Sequence, residues 1–218
     1  MRKGAAQYIE PMSDALPRRL LPSLCALCHG WSRSGRLCAA CCARFVMPAT
    51  RCRSCAIRVP HPVLRCHDCQ RQPPPFARAL VAVDYAYPWD GLLQRFKFGT
   101  ALDLRDALAG LLAHAVQADD EPLPQLPQLL VPLPLSRERL RERGYNQSSL
   151  LARGLAQRLG LPVEDGVLRR LVDTPPLSAH DRRTRARLVR GCFGVVASRA
   201  ARLRGQRVAL VDDVLTTG

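Results

Sequence analysis

Four CxxC pairs are the feature that most restricts how this chain can fold. They consist of Cys25 and Cys28, Cys38 and Cys41, Cys52 and Cys55, and Cys66 and Cys69. A CxxC turn presents two thiolates to one ion at about 2.3 Å, and two such turns complete a tetrahedral site. The spacing therefore predicts two zinc ions in a small double zinc ribbon at residues 21–72. Because four thiolates leave no position open for water, we expect both sites to be structural.

The sequence leaves open how the four turns pair. Short spacers favour sequential pairing, first with second and third with fourth, but crossed pairing is also compatible with them. Cys42 is an alternative to Cys41, and His29 and His67 each stand beside a ligand cysteine. Disulfide frameworks are typical of short secreted domains, and here the cysteines precede a long domain without an apolar signal region. We therefore expect zinc rather than disulfides.

The charge of the chain is strongly positive. The formal charge is +15 over 218 residues, and the lysines are Lys3 and Lys97 alone. Such an arginine excess favours phosphorylated or polyanionic partners, although a coding bias towards arginine explains it equally well. No apolar stretch approaches the roughly 20 residues that span a bilayer. We expect a cytoplasmic protein without membrane insertion, and a disordered N-terminal segment at residues 1–20.

A proline-rich linker near residues 71–76 separates the ribbon from a longer α/β domain at residues 76–218. Hydrophobic patterns predict its elements: strands at 79–85, 129–135, 192–197 and 207–212, and helices at 88–98, 102–117 and 146–160. Prolines at 132 and 134 should end the second strand early, because proline cannot donate to a ladder. The last strand is apolar on both faces, which predicts a central parallel strand.

Arginines cluster in two further segments, 136–147 and 181–191. Loops at the carboxyl ends of parallel strands are where α/β folds bind phosphorylated ligands. Arginine-rich helix faces in contact with solvent are an equally good interpretation.

Two adjacent carboxylates, Asp212 and Asp213, close the predicted last strand in the sequence VALVDDVLTTG. A ribose presents two vicinal hydroxyls, each able to donate a hydrogen bond to a carboxylate. A metal ion is the other candidate ligand. The VLTTG segment that follows offers small hydroxyl side chains, a glycine and successive N–H groups for a phosphate. This order of groups predicts a pentose phosphate ligand.

VALVDDVLTTG resembles the phosphoribosyl pyrophosphate motif of type I phosphoribosyltransferases. Its combination with the cysteine pairs, RFKFGTALDL and LLVPLPLSRERLRERGYNQ resembles the ComF family of competence proteins over about residues 20–218. The resemblance implies a double zinc ribbon followed by a type I phosphoribosyltransferase-like parallel sheet with helices. It also implies a link to DNA uptake in natural transformation. In the family a further helix and strand follow the motif, so we expect a domain that is incomplete at its C-terminal end.

The resemblance also assigns roles to residues. Asp212 and Asp213 match the ribose-binding acids, and the phosphate loop comprises Val214, Leu215, Thr216, Thr217 and Gly218. The segment that would hold pyrophosphate, bridged by Mg²⁺, contributes Pro134, Leu135, Ser136, Tyr145 and Asn146. Arg143 is the candidate for stabilising the charge of departing pyrophosphate, and it joins the two acids as a catalytic candidate.

Two functions are compatible with these residues. The first is a phosphoribosyltransferase that binds phosphoribosyl pyrophosphate or a nucleotide. The second is a non-catalytic zinc-ribbon protein that reuses the fold as a platform for single-stranded DNA or DNA-uptake proteins. Aromatic residues make up 5% of the chain, with Trp31 the main stacking candidate in the ribbon, so base stacking has little support. Binding of phosphoribosyl pyrophosphate that depends on the acid pair would favour the first.

Overall fold

A computed structural model describes residues 22–99, 101–118, 127–172 and 182–215 of the chain. The segment predicted to be disordered, residues 1–20, lies outside these ranges, as do Thr216, Thr217 and Gly218 of the predicted phosphate loop. The chain divides into two compact units, of which the first ends at Pro48 and the second begins at Ala49. The boundary predicted near residues 72–76 stays a prediction.

The first unit is a cysteine-bearing hairpin followed by a short helix. Strand β1 (Ser23–Leu24) pairs antiparallel with β2 (Trp31–Ser32), and α1 spans Ala39–Phe45. The helix begins at Cys38, whose sulfur accepts the Cys41 N–H at 3.4 Å. The same cysteine thus caps the helix and faces the other thiols of this unit.

The second unit begins with the other cysteine turns and the helix α2 (His67–Arg71). The segment 79–85 that follows is irregular, so the strand predicted there is wrong. Its polar groups are bound by the cysteine-bearing part instead of a neighbouring strand. The Ala79 N–H donates to the Ser54 carbonyl at 2.8 Å, and Asp84 pairs with Arg51 at 2.8 Å and with Arg58.

The predicted helices of the larger domain are present. Helix α3 covers Trp89–Lys97, and α4 covers Arg105–Gln117 after a 3-10 turn at Leu102–Leu104. Helix α6 covers Gln147–Leu159 and ends at Gly160, which adopts the left-handed conformation expected of a helix stop. The 136–147 segment is mostly helical, because α5 spans Arg137–Arg143 from an N-cap at Ser136.

The parallel sheet consists of β3 (Leu129–Pro132) and β6 (Val208–Val211), with Leu129 opposite Val208 and Pro132 opposite Val211. Strand β3 ends at the first proline, as predicted. Strand β6 pairs with β3 alone among the described strands, and Leu210 is 62% exposed. The prediction that this strand is central and covered on both faces is therefore wrong for the part of the chain that the structure describes.

The remaining elements lie between the two parallel strands in sequence. Strand β4 (Leu168–Arg170) pairs antiparallel with β5 (Phe193–Val195), which falls within the predicted 192–197 strand. Helix α7 (Arg182–Val189) precedes β5, and a 3-10 helix at Ala197–Leu203 follows it. Within the described ranges, the helices are too short or too polar to cross a bilayer.

Helices α4 and α6 pack closely through a glycine. A Cβ placed on Gly154 of α6 would lie 2.7 Å from the Ala109 Cβ of α4, whereas a Cβ on Gly91 of α3 would meet no atom within 4 Å.

We expect Gly154→Ala to lower the free energy of unfolding by about 1–3 kcal/mol through overpacking. The matched control Gly91→Ala should be neutral or stabilising by up to about 1 kcal/mol, because alanine favours the helix. Urea unfolding of both variants provides the test. Equal changes in the free energy of unfolding would contradict the close packing of α4 and α6 at Gly154.

Candidate functional site

The eight CxxC thiols form two groups. Cys25, Cys28, Cys38 and Cys41 make the first, and Cys52, Cys55, Cys66 and Cys69 the second. Within each group the sulfur atoms lie within 4.8 Å of one another. The Sγ atoms of Cys28 and Cys38 are 3.8 Å apart, and those of Cys55 and Cys66 are 3.7 Å apart. A tetrahedral site with arms of about 2.3 Å has edges of about 3.8 Å. The two groups therefore fit one zinc ion each and follow the sequential pairing.

One thiol in each group is prepared to lose its proton. Burial would raise the pKa of Cys25, but N–H groups of Cys28, Cys38 and Leu27 that point at the sulfur bring it down to about 6. Cys52 has the same arrangement in the second group and a pKa also lowered to about 6. Burial raises the pKa of Cys41 and Cys69, and hydrogen bonds and charge repulsion with neighbouring cysteines raise it further. A divalent cation would offset the repulsion among the sulfurs, because it binds all four as thiolates.

The acid pair lies at the carboxyl edge of the parallel sheet. Asp212 follows the last residue of β6, and the Leu133 N–H next to β3 donates to the Val211 carbonyl at 2.9 Å. The two parallel strands thus deliver the acids and the segment after β3 to the same edge. This is the edge at which open α/β sheets bind their ligands.

Helix α6 ties both strand ends together at its first turn. Asn146 is the N-cap: its Oδ1 accepts the Ser148 N–H at 3.0 Å, and its Nδ2 donates to the Leu133 carbonyl at 3.0 Å. The Ser148 hydroxyl donates to Asp212 Oδ1 at 2.8 Å. The same oxygen accepts the Asp213 N–H at 2.9 Å. Asp212 is therefore oriented by a helix that is itself fixed to the end of β3.

The two acids have different surroundings. Asp212 is exposed as a whole residue, yet protein atoms close to its carboxylate withdraw it from water. This burial, together with the negative charge of Asp213, raises the pKa of Asp212 to about 6. The Asp213 side chain is only 6% exposed, and its Oδ2 lies 3.1 Å from the Lys97 ammonium. That contact is an ion pair without hydrogen-bond alignment, because Oδ2 has no hydrogen-bond partner among the described residues.

Groups at and just beyond the end of α5 meet the end of α3. The Tyr145 hydroxyl donates to the Phe96 carbonyl, and burial raises the pKa of this phenol. The Arg143 guanidinium carbon lies 5.3 Å from the centre of the Phe98 ring. Arg143 Nη1 is buried and has no hydrogen-bond partner within the described ranges. A buried guanidinium nitrogen without an acceptor is suited to an anionic ligand.

The structure brings only some of the predicted site residues together. Asp212, Asp213 and Asn146 are linked through the first turn of α6, and Ser136 caps α5 by accepting the Arg139 N–H at 3.3 Å. A separate cavity of about 370 Å³ is lined by four of the predicted residues, Pro134, Leu135, Tyr145 and Asn146. Neither Asp212 nor Asp213 lines this cavity. Val214 is half-buried and Leu215 is exposed, and the rest of the predicted phosphate loop lies outside the described residues.

Sequence reasoning missed two residues that contact the acids, Lys97 and Ser148. Lys97 stands within the family-like segment RFKFG, and the rarity of lysine in this chain was a signal for it. Ser148 lies within the first turn of a predicted helix, where serine is ordinary. Its hydrogen bond to a residue 64 positions away is a property of the fold that no local pattern reveals.

Comparison with known proteins places this geometry in a family. The chain is 36% identical over 152 residues to competence protein F of Haemophilus influenzae, a match that covers 68% of this chain and 65% of that relative. It is 30% identical over 196 residues to the DNA utilization protein YhgH of Escherichia coli K12, covering 89% of this chain and 79% of the relative. The corresponding protein of Salmonella typhimurium is 33% identical over 149 residues.

Two further comparisons found no match. No family model matches the chain, and no solved structure does. The assignment therefore rests on the relatives, and the two four-cysteine groups agree with it. On these grounds the chain belongs to the ComF family of competence proteins.

Proposed function

We propose that this protein binds phosphoribosyl pyrophosphate at the acid pair and serves DNA uptake. The observation that carries the proposal is the position of Asp212 and Asp213 at the carboxyl edge of two parallel strands, where the Ser148 hydroxyl donates to Asp212 at 2.8 Å. Vicinal ribose hydroxyls are the donors that two adjacent carboxylates match. The names of the relatives, a competence protein and DNA utilization proteins, support the link to DNA uptake.

The ends of the two parallel strands would bind different parts of the ligand. Asp212 and Asp213 would take the ribose hydroxyls, while Val214 to Gly218 would receive the 5′-phosphate with backbone N–H groups. The pyrophosphate would lie near Pro134, Leu135, Ser136, Tyr145 and Asn146. Arg143 supports this placement, because its buried Nη1 has no hydrogen-bond partner in the described part of the chain. Mg²⁺ bound with the ligand would neutralise part of the pyrophosphate charge.

Transfer to an acceptor would follow from such binding. A nucleophile of the acceptor forms a bond to the anomeric carbon while the bond from that carbon to the pyrophosphate oxygen breaks, and pyrophosphate leaves with the electron pair. The protein contributes positioning and electrostatic stabilisation rather than covalent chemistry. Arg143 is the side chain that we propose for the charge on the leaving group.

The acid pair is tested by binding. We expect Asp212→Asn and Asp213→Asn each to weaken binding of phosphoribosyl pyrophosphate with Mg²⁺ about tenfold or more, because each removes a charged hydrogen-bond acceptor. Isothermal titration calorimetry measures the change. Asp90→Asn, at the opposite end of α3 from Lys97, removes a carboxylate away from the acid pair and should bind as the wild type does. Absence of wild-type binding, or wild-type affinity in both acid variants, would rule out the proposed ligand site.

The raised pKa of Asp212 predicts how the Asp212→Asn effect depends on pH. Below pH 6 the wild-type Asp212 carries a proton and resembles the asparagine variant, whereas above pH 6 it is ionised. The wild type should therefore outbind Asp212→Asn about tenfold at pH 8 and by much less at pH 5. The ligand's phosphates titrate in both proteins, so the affinity ratio isolates Asp212. A ratio that is constant between pH 5 and 8 would contradict the assignment.

We also propose that both cysteine groups hold structural zinc. Elemental analysis of reduced, freshly purified protein should return two zinc ions per chain. Cys41→Ser and Cys69→Ser should each return about one, because each removes a ligand from a different group. Cys42→Ser is the matched control, since its neighbour Cys41 belongs to the first group and Cys42 to neither, and it should retain both ions. A zinc content near zero in the wild type would refute the proposal.

Single-stranded DNA binding by the first unit is the second candidate function. Trp31 is 75% exposed on β2, where its ring can stack on a base. Fluorescence anisotropy with a labelled oligonucleotide, measured with and without a zinc chelator, tests it. Binding that weakens with salt, and is lost on chelation and in Trp31→Ala, would support this function. Binding that is indifferent to all three would exclude it.

A further inference from the structure

The Lys97 ammonium is the group beside the acid pair to which the proposed ligand contacts assign no role. It comes from the last residue of α3 and ends 3.1 Å from Asp213 Oδ2. Its side chain is 28% exposed, whereas that of Asp213 is 6% exposed. The carboxylate is thus largely shielded from water, and this ammonium is the cation paired with it in the described part of the chain.

Helix α3 holds Lys97 on a rigid support. Leu92, Leu93 and Phe96 are buried, which fixes the face of the helix that turns towards the core. The Phe96 carbonyl accepts the Tyr145 hydroxyl, so the last turn is also bound to the segment that leads into α6. Just beyond the helix, Gly99 adopts a φ of +81°, and a Cβ there would lie 3.6 Å from the Tyr145 ring. The packing of α3 therefore fixes the position from which Lys97 extends towards Asp213.

Charge balance at the acid pair explains why a cation is needed there. Two adjacent carboxylates at one strand end repel each other, and withdrawal from water increases the repulsion. The Ser148 hydroxyl and the Asp213 N–H both donate to Asp212, but neither reaches Asp213 Oδ2. The Tyr145 phenol is close enough to sense the charges of both Asp213 and Arg143. Lys97 is the cation that forms an ion pair with Asp213 within the described ranges.

We infer that Lys97 is a positioning residue of the phosphoribosyl site: by its ion pair it holds the Asp213 carboxylate in place for a ribose hydroxyl. This inference rests on the proposed function. Lys97 acts through Asp213, so its removal should affect recognition of the sugar and leave recognition of pyrophosphate intact. A lysine that bound pyrophosphate directly would show the opposite pattern.

Two probes separate these roles in calorimetric titrations: ribose 5-phosphate, and inorganic pyrophosphate with Mg²⁺. Lys97→Met should weaken binding of ribose 5-phosphate about tenfold and change pyrophosphate binding less than about twofold. Lys97→Arg keeps the charge and should recover part of the loss. Arg95→Met removes one positive charge from the same helix turn at an exposed position, and it should bind both probes as the wild type does.

A double-mutant cycle guards against a purely structural effect. In the Asp213→Asn background the further change Lys97→Met should weaken ribose 5-phosphate less than about twofold, because the carboxylate through which it acts is gone. A full tenfold loss in that background, or an equal loss for both probes, would overturn the inference. So would wild-type affinity for ribose 5-phosphate in Lys97→Met. If the wild type binds neither probe nor phosphoribosyl pyrophosphate, the proposed function fails and this inference fails with it.

Discussion

The hydrogen bonds at the first turn of α6 hold the candidate site together. Asn146 caps the helix and donates to the carbonyl of Leu133, just beyond β3, while Ser148 donates to Asp212, just beyond β6. A single helix start thereby fixes the ends of both parallel strands. Helix starts are suited to this task, because their side chains satisfy backbone groups and remain free to bind neighbours. The turn contacts the Asp212 carboxylate directly, whereas the Asp213 carboxylate is contacted by Lys97.

Charge shapes the site as strongly as hydrogen bonding does. The two acids are adjacent in sequence but differ in environment. Asp213 faces the ammonium of Lys97, whereas burial and the negative charge of Asp213 raise the pKa of Asp212 to about 6. Arg143 has a buried nitrogen with no acceptor in the described ranges. The described residues thus supply both carboxylate acceptors and an unpaired cationic donor. The same reasoning applies to the two thiol groups, since a bound cation would relieve the repulsion among four thiolates.

Strong local patterns were readable from the sequence, and interactions between distant segments were not. The CxxC spacing predicted the two thiol groups, and proline and glycine predicted where β3 and α6 end. The apolar segment 79–85 looked like a strand, but Arg51 and Arg58 bind its Asp84 and the segment stays irregular. Strand β6 has an exposed face among the described residues. Lys97 and Ser148 reach the acids only through the fold, so their contacts with the acids could not be read from local sequence.

Binding of the ribose of phosphoribosyl pyrophosphate by the acid pair can be observed in crystals of the protein soaked with this ligand and Mg²⁺. We expect ribose hydroxyls within hydrogen-bond distance, about 2.5–3.0 Å, of carboxylate oxygens of Asp212 and Asp213. Ligand density that contacts neither acid, for example in the cavity beside Asp165, would contradict it.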